Sequence, residues 1–283
     1  MAVRIVVDST ADIPPERARA LGITVVPLTV HFGDEVYRDG VDLDGPAFYR
    51  KLVNDPHMPT TSTPSSGLFD EVYRNLISEG ATGILALHIG SELSATYSVS
   101  ISTAEVVAKD MGVSIAVLDS RTVSGGLGLI AEILAQEARN GASLDQLKTH
   151  AESLITRTRV VAVLDTLEYL KRGGRIGGAK AFLGTLLSVK PLLEVRDSKV
   201  VALEQVRTRS KAQERIGQII ADLGPLEALA IAASDEATGE QLRNVARAIW
   251  KGDVELFSLG PVVGTHAGPG AGALVAILQG GTS

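Results

Sequence analysis

Apolar runs alternate with helical spacings along the first half of the chain. Val3–Val7, Gly83–Ile89 and Val113–Leu118 are dominated by aliphatic residues, the pattern of strands buried on both faces of a parallel sheet. Between them, Leu68, Phe69, Val72 and Leu76 recur at helical spacing within Ser66–Glu79. Thr96–Met111, Gly125–Asn140 and Ser143–Ile155 read as further helices, the last with Ser143 as N-cap, and shorter ones are expected from Pro15 to Leu21 and over Gly45–Asn54. Ile23–Phe32 reads as a second strand interrupted by Pro27, and Tyr37-Arg38-Asp39-Gly40 as a turn. Small polar residues gather where strands end, so the expected ligand edge lies at the C-terminal ends of the strands.

From Val160 the rhythm changes. Val160–Leu164 reads as a strand, Asp165–Lys171 as a short helix, Gly173–Gly178 as a flexible loop and Ala179–Ser188 as an apolar helix. Pro191–Val195 and Val200–Gln205 flank a hairpin turn, followed by helix Thr208–Leu223, strand Ala228–Ala233, helix Thr238–Trp250, strand Val254–Ser258, a glycine-rich loop from Gly264 to Gly272 and a last strand through Leu278. The expected fold is a two-domain α/β protein. Residues 1–157 form a mostly parallel sheet with helices on both faces, and residues 158–283 form a second α/β domain with a mixed sheet.

Composition narrows the possible functions. The 283 residues hold 27 Lys and Arg against 33 Asp and Glu, a net charge of −6 that gives nucleic acid no basic surface. The absence of cysteine excludes disulfides, thiol catalysis and cysteine metal sites, and it fits a reducing cytoplasm. The first residues enter a strand without a signal-peptide layout, and the apolar runs are too short to span a bilayer. Aromatics are only 4%, so the core is aliphatic and could also accommodate a hydrocarbon.

The candidate chemistry is an anion pocket. Pro59–Ser66 and Gly90–Tyr97 are clusters of small hydroxyl residues, and hydroxyls with backbone N–H groups at helix starts suit a carboxylate or phosphate. Ordinary N-capping is the plain alternative for each. Lys171-Arg172-Gly173-Gly174-Arg175 offers two arginines beside glycines, and His266 lies in a Gly/Pro-dense stretch, so both are further candidates for anion contact. Gly126-Leu127-Gly128-Leu129-Ile130-Ala131 has the spacing of a dinucleotide fingerprint but lacks the strand placement and acidic partner, and reads as helix-start glycines. There is no P-loop, GxSxG elbow or metal-ligand spacing. A hydrolytic or phosphotransfer enzyme using His266 with Ser62 or Ser94 would need an orienting acid. Asp8, Asp119 and Asp165 end strands and are read as helix caps.

Taken together, Val7–Asp12, Thr61–Ser65, Leu93–Tyr97, Leu167–Ile176, Lys190-Pro191 and Gly264–Ala271 resemble the DegV family of bacterial fatty-acid-binding proteins, in the right order over the full length. The family usually has Gln at the position of Thr63 and Gly at that of Ala95. The resemblance implies a non-catalytic carrier, without a cofactor, that encloses one long-chain fatty acid and presents it to the ATP-binding subunit of a fatty acid kinase for acyl-phosphate formation. Thr61, Ser62, Ser94 and Ala95 would hold the carboxylate, and His266, Arg172 and Arg175 would meet the acyl phosphate or the partner near the mouth. Such a carrier is cytoplasmic and not inserted in a membrane, though compatible with transient membrane contact. A carrier of another amphipathic acid would share these motifs and differ in pocket length.

Overall fold

The computed structural model describes residues 3–182, 184 and 189–280. The first strands behave as their apolar runs predict. β1 (Val3–Asp8) is followed by α1 (Pro15–Leu21), with Pro15 in its first turn and Gly22 closing it in the left-handed region. β2 (Ile23–Val26) then pairs parallel to β1. The expected single strand Ile23–Phe32 is two, because Pro27 breaks the ladder and sends the chain into another sheet. β3 (Thr29–Phe32) pairs antiparallel with β4 (Glu35–Arg38), so Tyr37 and Arg38 lie in a strand and not in the expected turn.

α2 (Gly45–Asn54) is capped by Asp44, and β5 (Thr60–Ser62) adds to the free side of β3. The first hydroxyl cluster is therefore a short strand, and it is Ser65 that caps α3 (Ser66–Ser78). β6 (Gly83–His88), α4 (Thr96–Met111), β7 (Ile115–Asp119), α5 (Gly125–Arg139) and α6 (Leu144–Arg157) complete this half. The parallel sheet runs β2-β1-β6-β7, and β4-β3-β5 forms a small antiparallel sheet beside it.

The second half starts with β8 (Thr158–Val163) and α7 (Glu168–Arg172), then a 3-10 segment over Gly177–Phe182 that spans the end of the expected loop and the start of the helix expected from Ala179. The rest of that expected helix, apart from Gly184, lies outside the described residues. β9 (Lys190–Arg196) and β10 (Lys199–Val206) form the hairpin, followed by α8 (Arg209–Asp222), β11 (Leu226–Ala233), α9 (Glu236–Ile249) and β12 (Val254–Ser258). α10 (Pro261–Ala267) takes in the first four residues of the expected glycine-rich loop and is opened by a proline at its first position, and β13 (Gly272–Leu278) ends the chain's last sheet. That sheet is mixed, in the order β10-β9-β8-β13-β11-β12.

Alternation along the strands explains how the layers stack. In β1, Ile5 and Val7 face one core while Val6 faces another with Phe69 and Tyr73. In β8, Val160 shares the first core, whereas Val161 and Val163 face α8 and α9. α5 thus lies between the two sheets and is buried nearly all round. Its glycines are packing positions. A Cβ on Gly126 would lie 2.4 Å from Thr122 Oγ1, and one on Gly128 2.5 Å from the Ala11 carbonyl. No helix among the described residues is long and apolar enough to cross a membrane.

Candidate functional site

The C-terminal edge of the parallel sheet faces the mixed sheet across a cavity. Its empty volume is about 930 Å³, the open mouth included. One wall is the mixed sheet, through Val160, Ala162 and Leu164 at alternate positions of one stretch, Leu193 and Val195 of β9, and Val200 of β10. The opposite wall comes from loops after β1, β6 and β7, with Thr10, Ile89, Leu93 and Val123. α10 closes a third side with Val262, Val263, His266 and Ala267. Aliphatic side chains line most of the surface, in keeping with an aromatic content of only 4%.

Polar groups converge at the side where Thr61, Ser94, Arg175 and His266 line the cavity. Thr61 points inward because β5 alternates, and its Oγ1 is 3.0 Å from His266 Nε2. His266 stands in the last turn of α10, against Gly173. A Cβ on Gly173 would lie 2.1 Å from His266 Nδ1, so only glycine admits the ring there. That Nδ1 is buried and has no partner among the described residues. Burial, and then the charge of Arg175, lower the imidazole to about 4, so the ring is neutral at pH 7.

Arg175 is held by two carbonyls, Nε donating to Leu93 at 3.0 Å and Nη1 to Gly173 at 2.8 Å. The first bond crosses between the two halves of the chain, beside Ser94. Ser94 Oγ accepts from Thr96 N at 3.3 Å and shares a hydrogen bond with Thr96 Oγ1 at 2.8 Å, which fixes the start of α4.

Three of the expected residues lie elsewhere. Ser62 alternates to the outer face of β5, where its Oγ meets His31 Nε2 at 3.1 Å. Arg172 is exposed and paired with Glu168 one helical turn away. Ala95 is the exposed N-cap of α4 at φ −76°, ψ 3°, a region open to any residue, so a glycine's freedom is not needed there.

The strand-end aspartates have distinct partners. Asp8 accepts from Thr10 N at 3.0 Å and Ile89 N at 2.8 Å, tying β1 to β6. Asp119 accepts from Ser91 N, Arg121 N and Ser198 Oγ, which fastens the β9–β10 turn to the first half. Asp165 caps no helix and pairs with Lys190 and Arg209.

Two further carboxyls, not among the candidate site residues of the sequence, lie under the start of α10. Asp12 Oδ1 accepts from Gly260 N at 2.9 Å and its Oδ2 from Ser124 Oγ at 2.6 Å. Asp39 accepts from Ser9 Oγ at 2.8 Å and lies beside the Val262 backbone N–H. Loss of hydration raises Asp12 well above the usual carboxylate range and Asp39 to about 7.

A Ser–His–Asp connectivity does exist, with His88 Nε2 2.8 Å from Ser100 Oγ and Nδ1 3.1 Å from Asp8. All three side chains are fully buried and none lines the cavity, so this is a core network tying α4 to the parallel sheet. At the cavity, His266 meets Thr61 and no acid meets its Nδ1 among the described residues. No cluster of three metal-ligating side chains is found among the described residues.

A family model described as "Uncharacterised protein, DegV family" matches residues 2–279. A DegV domain-containing protein of Streptomyces coelicolor is 37% identical over 273 residues, covering 95% of each chain. Among solved structures, a DegV family protein from Thermus thermophilus described for fatty acid binding superposes with a TM-score of 0.90 at 33% identity, over 99% of this chain and 100% of that one. A protein from Eubacterium ventriosum described as binding stearic acid gives 0.89 at 26% identity, over 97% and 98%.

Proposed function

We propose that this chain, which belongs to the DegV family, binds one long-chain fatty acid with its hydrocarbon along the aliphatic cavity and its carboxylate at the polar end. The single observation that carries the reading is the shape of that cavity's chemistry. Aliphatic walls extend between the sheets, and hydroxyls, a guanidinium and a neutral imidazole converge at one side. Thr61 and Ser94 supply hydroxyl donors, Arg175 supplies the opposite charge, and His266 supplies a ring nitrogen that can donate or accept.

Burying roughly 15 methylenes at about 0.8 kcal/mol each gives on the order of 12 kcal/mol before ordering costs. The chain therefore supplies the affinity, and the headgroup groups keep the carboxylate from being buried unpaired. In this reading residues 1–157 are a domain contributing Thr61 and Ser94, and residues 158–283 are a domain covering the acyl chain and contributing Arg175 and His266 to the same end.

The protein itself is a cytoplasmic carrier and no enzyme. Its ligand's carboxylate is presented to a separate ATP-binding kinase subunit, where it becomes the acyl phosphate. Ser62 and Arg172, on the exterior, are available to that partner.

Equilibrium titration of delipidated protein with a 16-carbon fatty acid tests the binding, with saturation at one acid per chain expected. Adding ATP and the purified kinase subunit should give acyl phosphate, while the chain alone with ATP should give none. Failure to bind any long-chain acid would overturn the reading, and turnover by the chain alone would favour a phosphotransfer enzyme built on His266.

A further inference from the structure

α10 belongs to the second half of the sequence but packs largely on the first, against α2, β3 and β5, as well as on α7 of its own half. Its Val262 enters the small core of Leu28, Val30, Phe32 and Phe48. Apolar contact of this kind sets depth but leaves a seven-residue helix free to slide or rotate by fractions of an ångström. Its directional anchor is the hydrogen bond at its start from Gly260 N to Asp12, with the Asp39 carboxyl lying beside the Val262 N–H. Each carboxyl is in turn oriented by a serine of the first half, Ser124 for Asp12 and Ser9 for Asp39. Both acids come close to Gly260, where a Cβ would lie 2.9 Å from Asp12 Oδ1 and 3.2 Å from Asp39 Oδ1.

His266 is six residues farther along, about 9 Å at a helical rise. Its ring must fit between Thr61 and Gly173 with little slack.

We propose that Asp12 and Asp39 are positioning residues for the ligand headgroup: together they clamp the start of α10 onto the first half of the chain, and so set where His266 meets Thr61 and the bound carboxylate. The inference rests on the fatty-acid reading for its ligand and on α10 alone for its geometry. The clamp works through acceptor oxygens more than through charge, since burial drives both carboxyls towards their neutral forms. An amide oxygen at either position should therefore replace the carboxyl, whereas a methyl group should not.

The test compares Asp12→Ala, Asp39→Ala, Asp12→Asn, Asp39→Asn and the milder Ser9→Ala. Each is titrated with a 16-carbon fatty acid and with the 16-carbon alcohol, which fills the cavity without a carboxylate. The ring signals of His266 are followed by NMR on histidine-labelled protein without ligand. The Ala variants should lose about tenfold or more in affinity for the acid and no more than about threefold for the alcohol, the size of one lost hydrogen bond. The His266 signals should move in the same variants, and the Asn variants should recover both readouts. Ser9→Ala, which leaves both carboxyls in place, should show a smaller acid-selective loss and settles the matter if the Ala variants do not fold.

Equal losses for acid and alcohol, or unmoved His266 signals in folded Ala variants, would overturn the proposal. If wild-type protein binds neither ligand, the fatty-acid reading fails, and the His266 signals still decide the clamp.

Discussion

Thr61 Oγ1 and His266 Nε2 are 3.0 Å apart although 205 residues separate them in the sequence. The contact joins a three-residue strand of the first half to a short helix of the second, and both side chains line the cavity. It defines the polar end of the pocket more sharply than either hydroxyl cluster does in the sequence.

Replacing Thr61 by Val keeps the shape and removes the hydroxyl, which leaves both ring nitrogens of His266 without a protein partner. The expected loss in fatty-acid affinity is about tenfold, roughly 1–2 kcal/mol for one hydrogen bond. Titration with the same acid checks it, and unfolding in urea should shift little because the site is half-buried.

Ser94 and Ser62 should separate cleanly. Ser94 lines the cavity while Ser62 bonds His31 on the outer face. Ser94→Ala should weaken acid binding by about tenfold and Ser62→Ala by less than about twofold. A kinase-coupled assay should instead find Ser62→Ala, with Arg172→Ala, affecting acyl-phosphate formation at saturating ligand.

Gly173→Ala introduces a Cβ that would lie 2.1 Å from His266 Nδ1 and 2.7 Å from Cε1. The imidazole must leave its seat against Thr61. The variant should therefore match His266→Ala in acid affinity while retaining a His266 ring signal, now shifted, in NMR spectra. Wild-type affinity would mean the ring's position is irrelevant to the ligand.

The sign of the pH effect follows from the same ring. His266 is held at about 4 in the folded protein, below its ordinary 6.5, by burial first and Arg175 second. Protonation therefore favours the unfolded chain. The stability associated with the neutral ring is complete above pH 6.5 and is lost as the pH falls from 6.5 towards 4. His266→Gln should flatten that part of the wild-type stability profile, measured by urea unfolding between pH 7 and pH 4. A bound carboxylate adds an opposite charge and should move the ring's titration upward.

Ala162 tests the hydrocarbon end without touching the headgroup. It lines the cavity from the mixed sheet, and Ala162→Phe would fill space meant for the chain. Binding of a 16-carbon acid should fall by well over tenfold, the equivalent of several methylenes at about 0.8 kcal/mol each. Acids of shorter chain should lose less.

The layered α/β core was legible in the sequence because β6 and most of β1 are buried on both faces, and the half-buried edge strand β7 is aliphatic too. The small sheet was not. Thr60–Ser62 holds no apolar residue, and its strand character comes from pairing with β3. That is why Ser62 was expected in the pocket together with Thr61, and only Thr61 lines it. A strand's period of two decides the matter, and periodicity cannot be read from three hydroxyl residues. α10 was hidden by Gly264 and the glycines that follow it, although Gly260-Pro261 carried the start signal. Asp12 showed only as the end of the Val7–Asp12 segment and Asp39 only as a turn residue, since the role of each depends on a helix more than 200 residues away.

The most direct measurement of the central claim is mass spectrometry of natively purified protein, followed by solvent extraction of what it carries. The account predicts one long-chain fatty acid per chain, at lower occupancy in a Ser94→Ala, Arg175→Ala double variant that still folds. A protein that is empty as purified and takes up no added fatty acid after refolding from denaturant would contradict it.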